Sequence, residues 1–201
     1  MKFGELIYRS PVGKIMSFAA RCIAKLHKPF MVYGFKDPKT GIFRKYTRFS
    51  SDLTILSPEK LSVENNVWIW HHSIIDATEG LEIGEGVQIG AWVGVFTHGS
   101  ENSIRLLGSQ FVNIPNTERK GYTRGSVSIG AYSFIGAKSV ILPGVTIGKG
   151  CLIAAGSIVS KNIPDYSIYV GHQITSRTTI EKDRQFFEQE DFSQTYYDKE
   201  A

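Results

Sequence analysis

The side chain best suited to move a proton in this chain is His98, in the run Val95-Phe96-Thr97-His98-Gly99-Ser100-Glu101. An imidazole titrates near neutrality, so it can take a proton from a hydroxyl, and a base aligned for that task is worth roughly 10²–10⁴ in rate. Such a base needs a partner to hold its tautomer. Glu101 is the nearest carboxylate in sequence, and Asp76 stands further upstream. His71 and His72 form a second imidazole pair after Trp70. A thiol or hydroxyl nucleophile is not indicated, because no nucleophile motif surrounds Cys22, Cys151 or any serine. The plain alternative for His98 is a ring that caps a turn.

What sets His98 apart is the pattern that it interrupts. From Ile129 the chain reads in sixes: IGAYSF, IGAKSV, ILPGVT, IGKGCL, IAAGSI, VSKNIP. An aliphatic residue opens every hexad, and the fifth place of the first five is Ser, Ser, Val, Cys and Ser, small enough to point inward. A helix is excluded by the period, since six residues at about 100° each would throw successive openers about 240° apart. Repeated Gly would also cost a helix about 1 kcal/mol each relative to Ala. A parallel β-coil fits, in which each unit is too small to bury its own apolar face and is stable only on copies of itself.

The same rhythm runs earlier through the openers Val63, Ile69, Ile75, Ile83, Ile89 and Val95, with a two-residue slip after Asp76-Ala77-Thr78-Glu79-Gly80. Two coils, an interruption over residues 99–126 and two further coils are therefore expected. A loop longer than about 15 residues in a compact fold is usually functional or disordered. This one mixes Arg105, Arg119, Lys120 and Arg124 with Ile104, Leu106, Leu107 and Phe111, so it is expected to pack against the coil. His98 would stand at the coil's edge, beneath the loop.

The pattern of an aliphatic, a Gly or small residue, two free positions, a small residue and a free position resembles the hexapeptide-repeat acyltransferases, in particular the sugar O-acetyltransferases of the maltose/galactoside and surface-polysaccharide type. The resemblance implies an all-β-dominated left-handed parallel β-helix, a triangular prism with three hexads to the turn, against the usual right-handed crossover rule. It further implies a homotrimer, acetyl-CoA as co-substrate without a metal, and a saccharide acceptor. By the same resemblance His98 is the catalytic base, at the junction of coil and loop, and an acid at about the place of Asp76 holds the sugar. Trp70-His71-His72 replace asparagines of the family there, so His71 and His72 become acceptor contacts. Glu101 is left as the orienter of His98. Gly136, Ala137, Ala154 and Ala155 match positions along the pantetheine arm of coenzyme A, in a groove between subunits, and Ser160-Lys161 match a pair at its nucleotide end. The repeat itself also demands small residues at the first four. The acceptor hydroxyl would attack the acetyl carbonyl directly, without an acyl-enzyme. After Pro164 the run DYSIYVGH resembles the family's exit strand, but Gly171-His172-Gln173-Ile174-Thr175 departs from its usual continuation.

The remainder reads as appendages to one domain: a helix and hairpin cap over 1–50, the β-helix over 51–170, and a strand, short helix and acidic tail over 171–201. A composition of 42% hydrophobic and 21% charged residues is that of a soluble globular protein. The net charge of +4 conceals an asymmetry, for residues 1–50 hold eleven Lys/Arg against two acids, and the rest twelve against seventeen. Within residues 5–28, Ile15, Phe18, Ala19, Cys22 and Leu26 fall at helical spacing beside Lys14, Arg21, Lys25 and Lys28. Such a helix would either cap the open end of the coil or rest on anionic lipid. The turn Lys36–Gly41 separates two strand-like runs, Thr178 and Glu181 have capping-box spacing, and residues 188–201 read as a frayed tail. Two cysteines, no membrane-length apolar run and a candidate signal core of only six residues, Ile15 to Ala20, point to the cytoplasm, with peripheral contact at the inner membrane face as the role left to residues 5–28. Three other readings stand beside the O-acetyltransferase: an amino-sugar N-acetyltransferase, a zinc carbonic-anhydrase-like site using His71, His72 and His98, and a non-catalytic scaffold. Nucleic acid is not expected, since the basic cluster lacks interleaved stacking aromatics.

Overall fold

A computed structural model describes residues 10–26 and 28–187, in two compact units, Met1–Phe30 and Met31–Ala201. The first contains helix α1 (Pro11–Leu26). Pro11 occupies its first position, where no N–H is required, and Ser10 Oγ accepts from Gly13 N at 3.1 Å. The 3.6-residue period places Val12, Ile15, Met16 and Ile23 on one face, all exposed, with Lys14 and Arg21 opposite. Residues 5–9 and His27 of the expected helix, and the expected tail at 188–201, lie outside the described residues. No helix among the described residues is long and apolar enough to cross a membrane.

The second unit opens with an antiparallel hairpin of β1 (Met31–Lys36) and β2 (Phe43–Ser50). Buried Asp37 closes its turn, one oxygen accepting from the amides of Lys39 and Thr40 and the other from Val63 in the first coil. Because Arg48 and Phe49 pair in parallel with Trp68 and Ile69, the hairpin forms the first two strands of a coil sheet instead of a separate cap.

The coil has three sheets. The eight-stranded sheet contains Ile69, Ile89, Ile135 and Ile153 in one register column. The five-stranded sheet stacks Ile55, Ile75, Val95, Ile141 and Val159, and the four-stranded sheet stacks Val63, Ile83, Ile129 and Ile147. The hexad openers of the sequence are thus the three inward columns, and all but Ile55 are at most 1% exposed. Each contributes about 1.5–3 kcal/mol by burial. The coil is a left-handed parallel β-helix.

The small fifth residues have a second task. Ser73, Ser133 and Ser139 point inward and donate to Gly90, Gly148 and Ala154 carbonyls in the next coil. Cys151 takes the same kind of slot, buried, with Sγ on the Pro164 carbonyl, and burial pushes its thiol up, away from reactivity.

The interruption leaves from His98–Gly99, which pairs antiparallel with Thr123–Arg124 and so shuts the excursion at its base. Between them lie helix α2 (Glu101–Leu107) and short 3-10 turns. The excursion holds itself together, with Ser103 donating to Lys120 O at 2.8 Å and the Arg119 guanidinium 3.9 Å from the Phe111 ring. Its apolar residues pack only in part as expected: Leu107 and Phe111 are half-buried, whereas Ile104 and Leu106, and Val112 beside them, are exposed. Beyond the last coil, Ser167–Val170 and Gln173–Thr178 form a hairpin leading to α3 (Thr179–Phe187), whose start carries the reciprocal Thr178–Glu181 capping box.

Candidate active site

The site is built from the corner where the five-stranded sheet turns toward the four-stranded one. Asp76 ends the strand Ile74–Asp76 and is fully buried. Its Oδ1 accepts from Thr78 N at 2.9 Å, and its Oδ2 accepts from both the amide and the hydroxyl of Thr97, at 2.9 and 3.0 Å. Burial alone would raise the carboxyl's pKa, but these donors from Thr78 and Thr97 outweigh it and hold Asp76 below the usual carboxylate value.

One coil later His98 lies against this buried anion, Nδ1 at 2.8 Å from Asp76 Oδ2. The contact is bent enough to leave Nδ1 without an aligned hydrogen bond. Tyr122, returning from the excursion, stacks on the imidazole with centroids 5.8 Å apart and planes at 10°. The Arg124 guanidinium lies 4.6 Å from the Tyr122 ring and pairs with Glu79 at 2.5 Å, tying the excursion to the corner. The imidazole is 28% exposed, toward an open cleft of about 450 Å³.

That cleft is lined by Phe96, His98, Glu101, Thr123, Leu142 and Ser160 among others. Glu101 is exposed there and accepts from Thr123 Oγ1 at 2.5 Å, which holds its carboxyl below the usual value. The carboxylate at His98 Nδ1 belongs to Asp76, so the structure places Glu101 at the cleft wall and Asp76 behind the ring. Ser160 brings the Ser160-Lys161 pair to the same corner, both side chains exposed.

His71 and His72 are elsewhere, at the opposite edge of the five-stranded sheet, where the eight-stranded sheet turns into it. They surround Asp52: His72 Nδ1 is 2.5 Å from Oδ2 and His71 Nδ1 is 3.6 Å from Oδ1, with Ser50 Oγ also on His71. Burial would raise the Asp52 pKa, but the Ser50 hydroxyl, the His72 amide and both imidazoles lower it. His72 stacks on Trp92 at 5.4 Å, and Lys138 lies 5.7 Å from that ring in the next coil. Gly136, Ala137, Ala154 and Ala155 are at this second corner too. Gly136 has a packing reason to be glycine, since a Cβ there would lie 2.3 Å from Ala155 N in the coil above. Within one chain, therefore, the positions matched to coenzyme A divide between two corners, and His71 and His72 are not brought to His98. Among the described residues no group of three or more His, Cys, Asp or Glu is arranged to hold a metal.

Residues 126–161 match the family described as bacterial transferase hexapeptide (six repeats). The later coils thus carry the hexapeptide repeat that this family model describes. Among curated relatives, "Putative acetyltransferase SAV2555" of Staphylococcus aureus is 42% identical over 65 residues, covering 32% of this chain and 33% of that protein. "Probable acetyltransferase Rv3034c" of Mycobacterium tuberculosis is 30% identical over 109 residues, covering 53% and 33%. The chain thus spans about a third of the length of these curated relatives. Among solved structures, the hexapeptide-repeat acetyltransferase VCA0836 of Vibrio cholerae, complexed with acetyl coenzyme A, superposes with a TM-score of 0.53 at 19% identity, covering 63% of this chain and 64% of that one. A mutant of AntD, an N-acyltransferase from Bacillus cereus in complex with dTDP and coenzyme A, does so with a TM-score of 0.50 at 24% identity, covering 73% and 90%. At these identities the structures establish a shared fold.

The residues that sequence reasoning missed are those packed around His98 and Asp76. Thr78, Thr97 and Tyr122 carry no motif. The coil register does carry a signal: Ile75 pairs with Val95, which brings the residues after Val95 over those after Ile75.

Proposed function

We propose that the protein is an acetyl-CoA-dependent O-acetyltransferase acting on a saccharide hydroxyl, with His98 as general base. The observation that carries this reading is the buried Asp76 carboxylate 2.8 Å from His98 Nδ1, behind a ring that opens onto a cleft shared with Ser160. A proton on Nδ1 faces the carboxylate, which leaves Nε2 as the acceptor on the cleft side. The acceptor hydroxyl gives its proton to Nε2 as its oxygen attacks the acetyl carbonyl. A backbone N–H would stabilise the oxyanion, and the coenzyme A thiolate leaves, taking the proton back from the imidazolium. Asp76 stabilises that imidazolium and positions the ring. This replaces a sugar contact as its role, and Glu101 at the cleft wall is left to meet the acceptor.

The acetyl donor belongs along the later coils, with Ser160 and Lys161 at one corner and Ala137, Ala154 and Ala155 at the other. Two corners of one prism cannot face the same ligand, so the reading requires a homotrimer in which the second corner, with His71 and His72, is supplied by a neighbouring copy. The exposed Ile104, Leu106 and Val112 of the excursion suit burial against that neighbour. Helix α1, with its separate apolar and basic faces, suits peripheral contact with anionic lipid at the cytoplasmic face, where a lipid-linked saccharide would be found. An amino sugar is the second reading, favoured by the N-acyltransferase among the similar structures, since the same base would serve an ammonium acceptor. Separation of His71 and His72 from His98 speaks against a three-imidazole zinc site.

The test is an acceptor screen with acetyl-CoA, thiol release as readout and mass spectrometry of products. A mass gain of one acetyl on a sugar hydroxyl supports the proposal, acetylation of amino sugars alone selects the second reading, and no thiol release above background across the panel refutes both.

A further inference from the structure

The hairpin carries an unanswered cation. On β2, Arg44 is neutralised by Glu64 at 2.9 Å. Two pairs further along the same strand, Arg48 has no such partner among the described residues. Its guanidinium lies between two aromatic faces, 3.8 Å from the Trp68 ring centroid and 4.7 Å from that of Tyr33. Its Nε is buried without a hydrogen-bond partner, and so is the indole Nε1 of Trp68 beside it. Stacking on both faces fixes the plane of the guanidinium fork and leaves its donors as the means of recognition, the arrangement that suits a carboxylate or phosphate.

Arg48 lies in the wall of an open cleft of about 450 Å³, with Tyr33, Gly34, Phe43, Lys45 and Tyr46. Three of these are large rings left open to solvent, Tyr33 at 68%, Phe43 at 64% and Tyr46 at 55%. The Phe43 ring is set by the backbone, for it lies over Gly34, whose φ of +82° and lack of Cβ admit it; an added Cβ would be 2.4 Å from Phe43 Cζ. Lys45, exposed, adds a second cation at the rim. Among the described residues the surroundings offer no compensating acid: Asp37 is buried and occupied by backbone donors, and Glu64 is held by Arg44. A bare anion would leave the rings uncovered, and a neutral ring would leave Arg48 unanswered. A ligand with both a stacking ring face and an oxyanion satisfies the whole cleft.

We propose that this hairpin cleft is a binding site for an acidic saccharide unit, a pyranose bearing a carboxylate or a phosphate, separate from the His98 cleft. Strands β1 and β2 belong to the eight-stranded sheet, whereas His98 lies at the corner joining the other two sheets, so an occupant would hold an acidic glycan at a distance from the reacting hydroxyl. That the ring is a sugar rests on the saccharide reading above; the oxyanion and the stacking face rest on the cleft alone.

Calorimetric titration of the full chain tests this, with Trp68 fluorescence as a second signal because its indole touches Arg48. A galacturonate oligomer and glucose 1-phosphate separate the carboxylate from the phosphate source, maltotriose is the neutral control, and a nucleoside monophosphate tests a base in place of a sugar. Saturable binding of at least one acidic sugar, with none of maltotriose, is expected. Arg48→Lys should weaken it about tenfold by removing the planar fork, and Tyr33→Ala and Lys45→Ala, both at exposed positions, should each weaken it several-fold while the melting temperature stays put. His98→Ala should bind the acidic sugar as the unaltered protein does, so failure of acetyl transfer and failure of this site are read separately. Equal binding by Arg48→Lys and Tyr33→Ala, loss of binding in His98→Ala, tighter binding of the nucleotide, or a change of oligomeric state on Tyr33→Ala would each overturn the proposal.

Discussion

Replacing Asp76 by Asn isolates what the buried carboxylate does. The side chain keeps its shape but loses its charge, and one oxygen becomes an NH₂. If that group takes the Oδ2 place, it meets the Thr97 amide and hydroxyl at 2.9 and 3.0 Å and the imidazole at 2.8 Å; if it takes the Oδ1 place, it meets the Thr78 amide at 2.9 Å. Either way at least one buried donor faces another donor. Hydrogen bonds to charged groups are worth about 1.5–3 kcal/mol each, so a stability loss of about 2–4 kcal/mol is expected, read by thermal or denaturant unfolding. Chemistry should suffer more. Without the anion the Nδ1 proton is not held and the imidazolium is not stabilised, so kcat should fall roughly 10²–10⁴-fold, with coenzyme A affinity by calorimetry nearly unchanged. The pH dependence gives an independent check. Because the folded-state pKa of Asp76 is depressed, its stabilising contribution is fully present above the ordinary carboxylate pKa and is lost as pH falls through the depressed value. The Asn variant should therefore lose part of the acid limb of the stability profile and be unaltered in shape above it. An Asn variant that is destabilised yet turns over at the unaltered rate would refute Asp76 as the positioning residue and leave it a structural anion.

Other outcomes follow from the same geometry. His98→Ala should lower turnover at least about a hundredfold with the melting temperature and coenzyme A affinity preserved; an unchanged rate removes it from the mechanism. Gly136→Ala should destabilise by about 1–3 kcal/mol, because its Cβ would press on Ala155 N at 2.3 Å, and a stable variant with weakened coenzyme A binding would instead make the glycine a ligand contact. Deleting residues 1–28 should abolish cosedimentation with anionic vesicles while leaving soluble turnover intact, and equal binding by both proteins would reject α1 as the contact.

The coil was legible because its period is short and its chemistry repetitive. Openers from Val63 to Val159 map one for one onto inward columns, and even the two-residue slip after Asp76 is visible as the longer corner at Ala77–Gly80. The proposed base, His98, stands out in the sequence by its place at the interruption. Its partner was harder, since sequence distance favours Glu101, three residues on, over a carboxylate one coil away, and only stacking makes Asp76 the neighbour. His71 and His72 illustrate the same difficulty in reverse: adjacent to the site by resemblance, they are carried to another corner by the winding. The hairpin was recognisable from its turn residues, but not that β2 would pair in parallel with Trp68–Ile69 and join the coil. The excursion's packing was the least readable, for a mixture of Arg and aliphatic residues does not say which surface will cover it.

The short ribbon that joins His98–Gly99 to Thr123–Arg124 has an evolutionary corollary. The backbone of His98 is also the hinge pin of everything suspended beyond it, so the chain from Asn102 to Gly121 can lengthen, shorten or be exchanged without shifting the imidazole or a single rung of the prism. A lineage built on such a joint is free to remodel the excursion while the corner that holds His98 and Asp76 stays where it was.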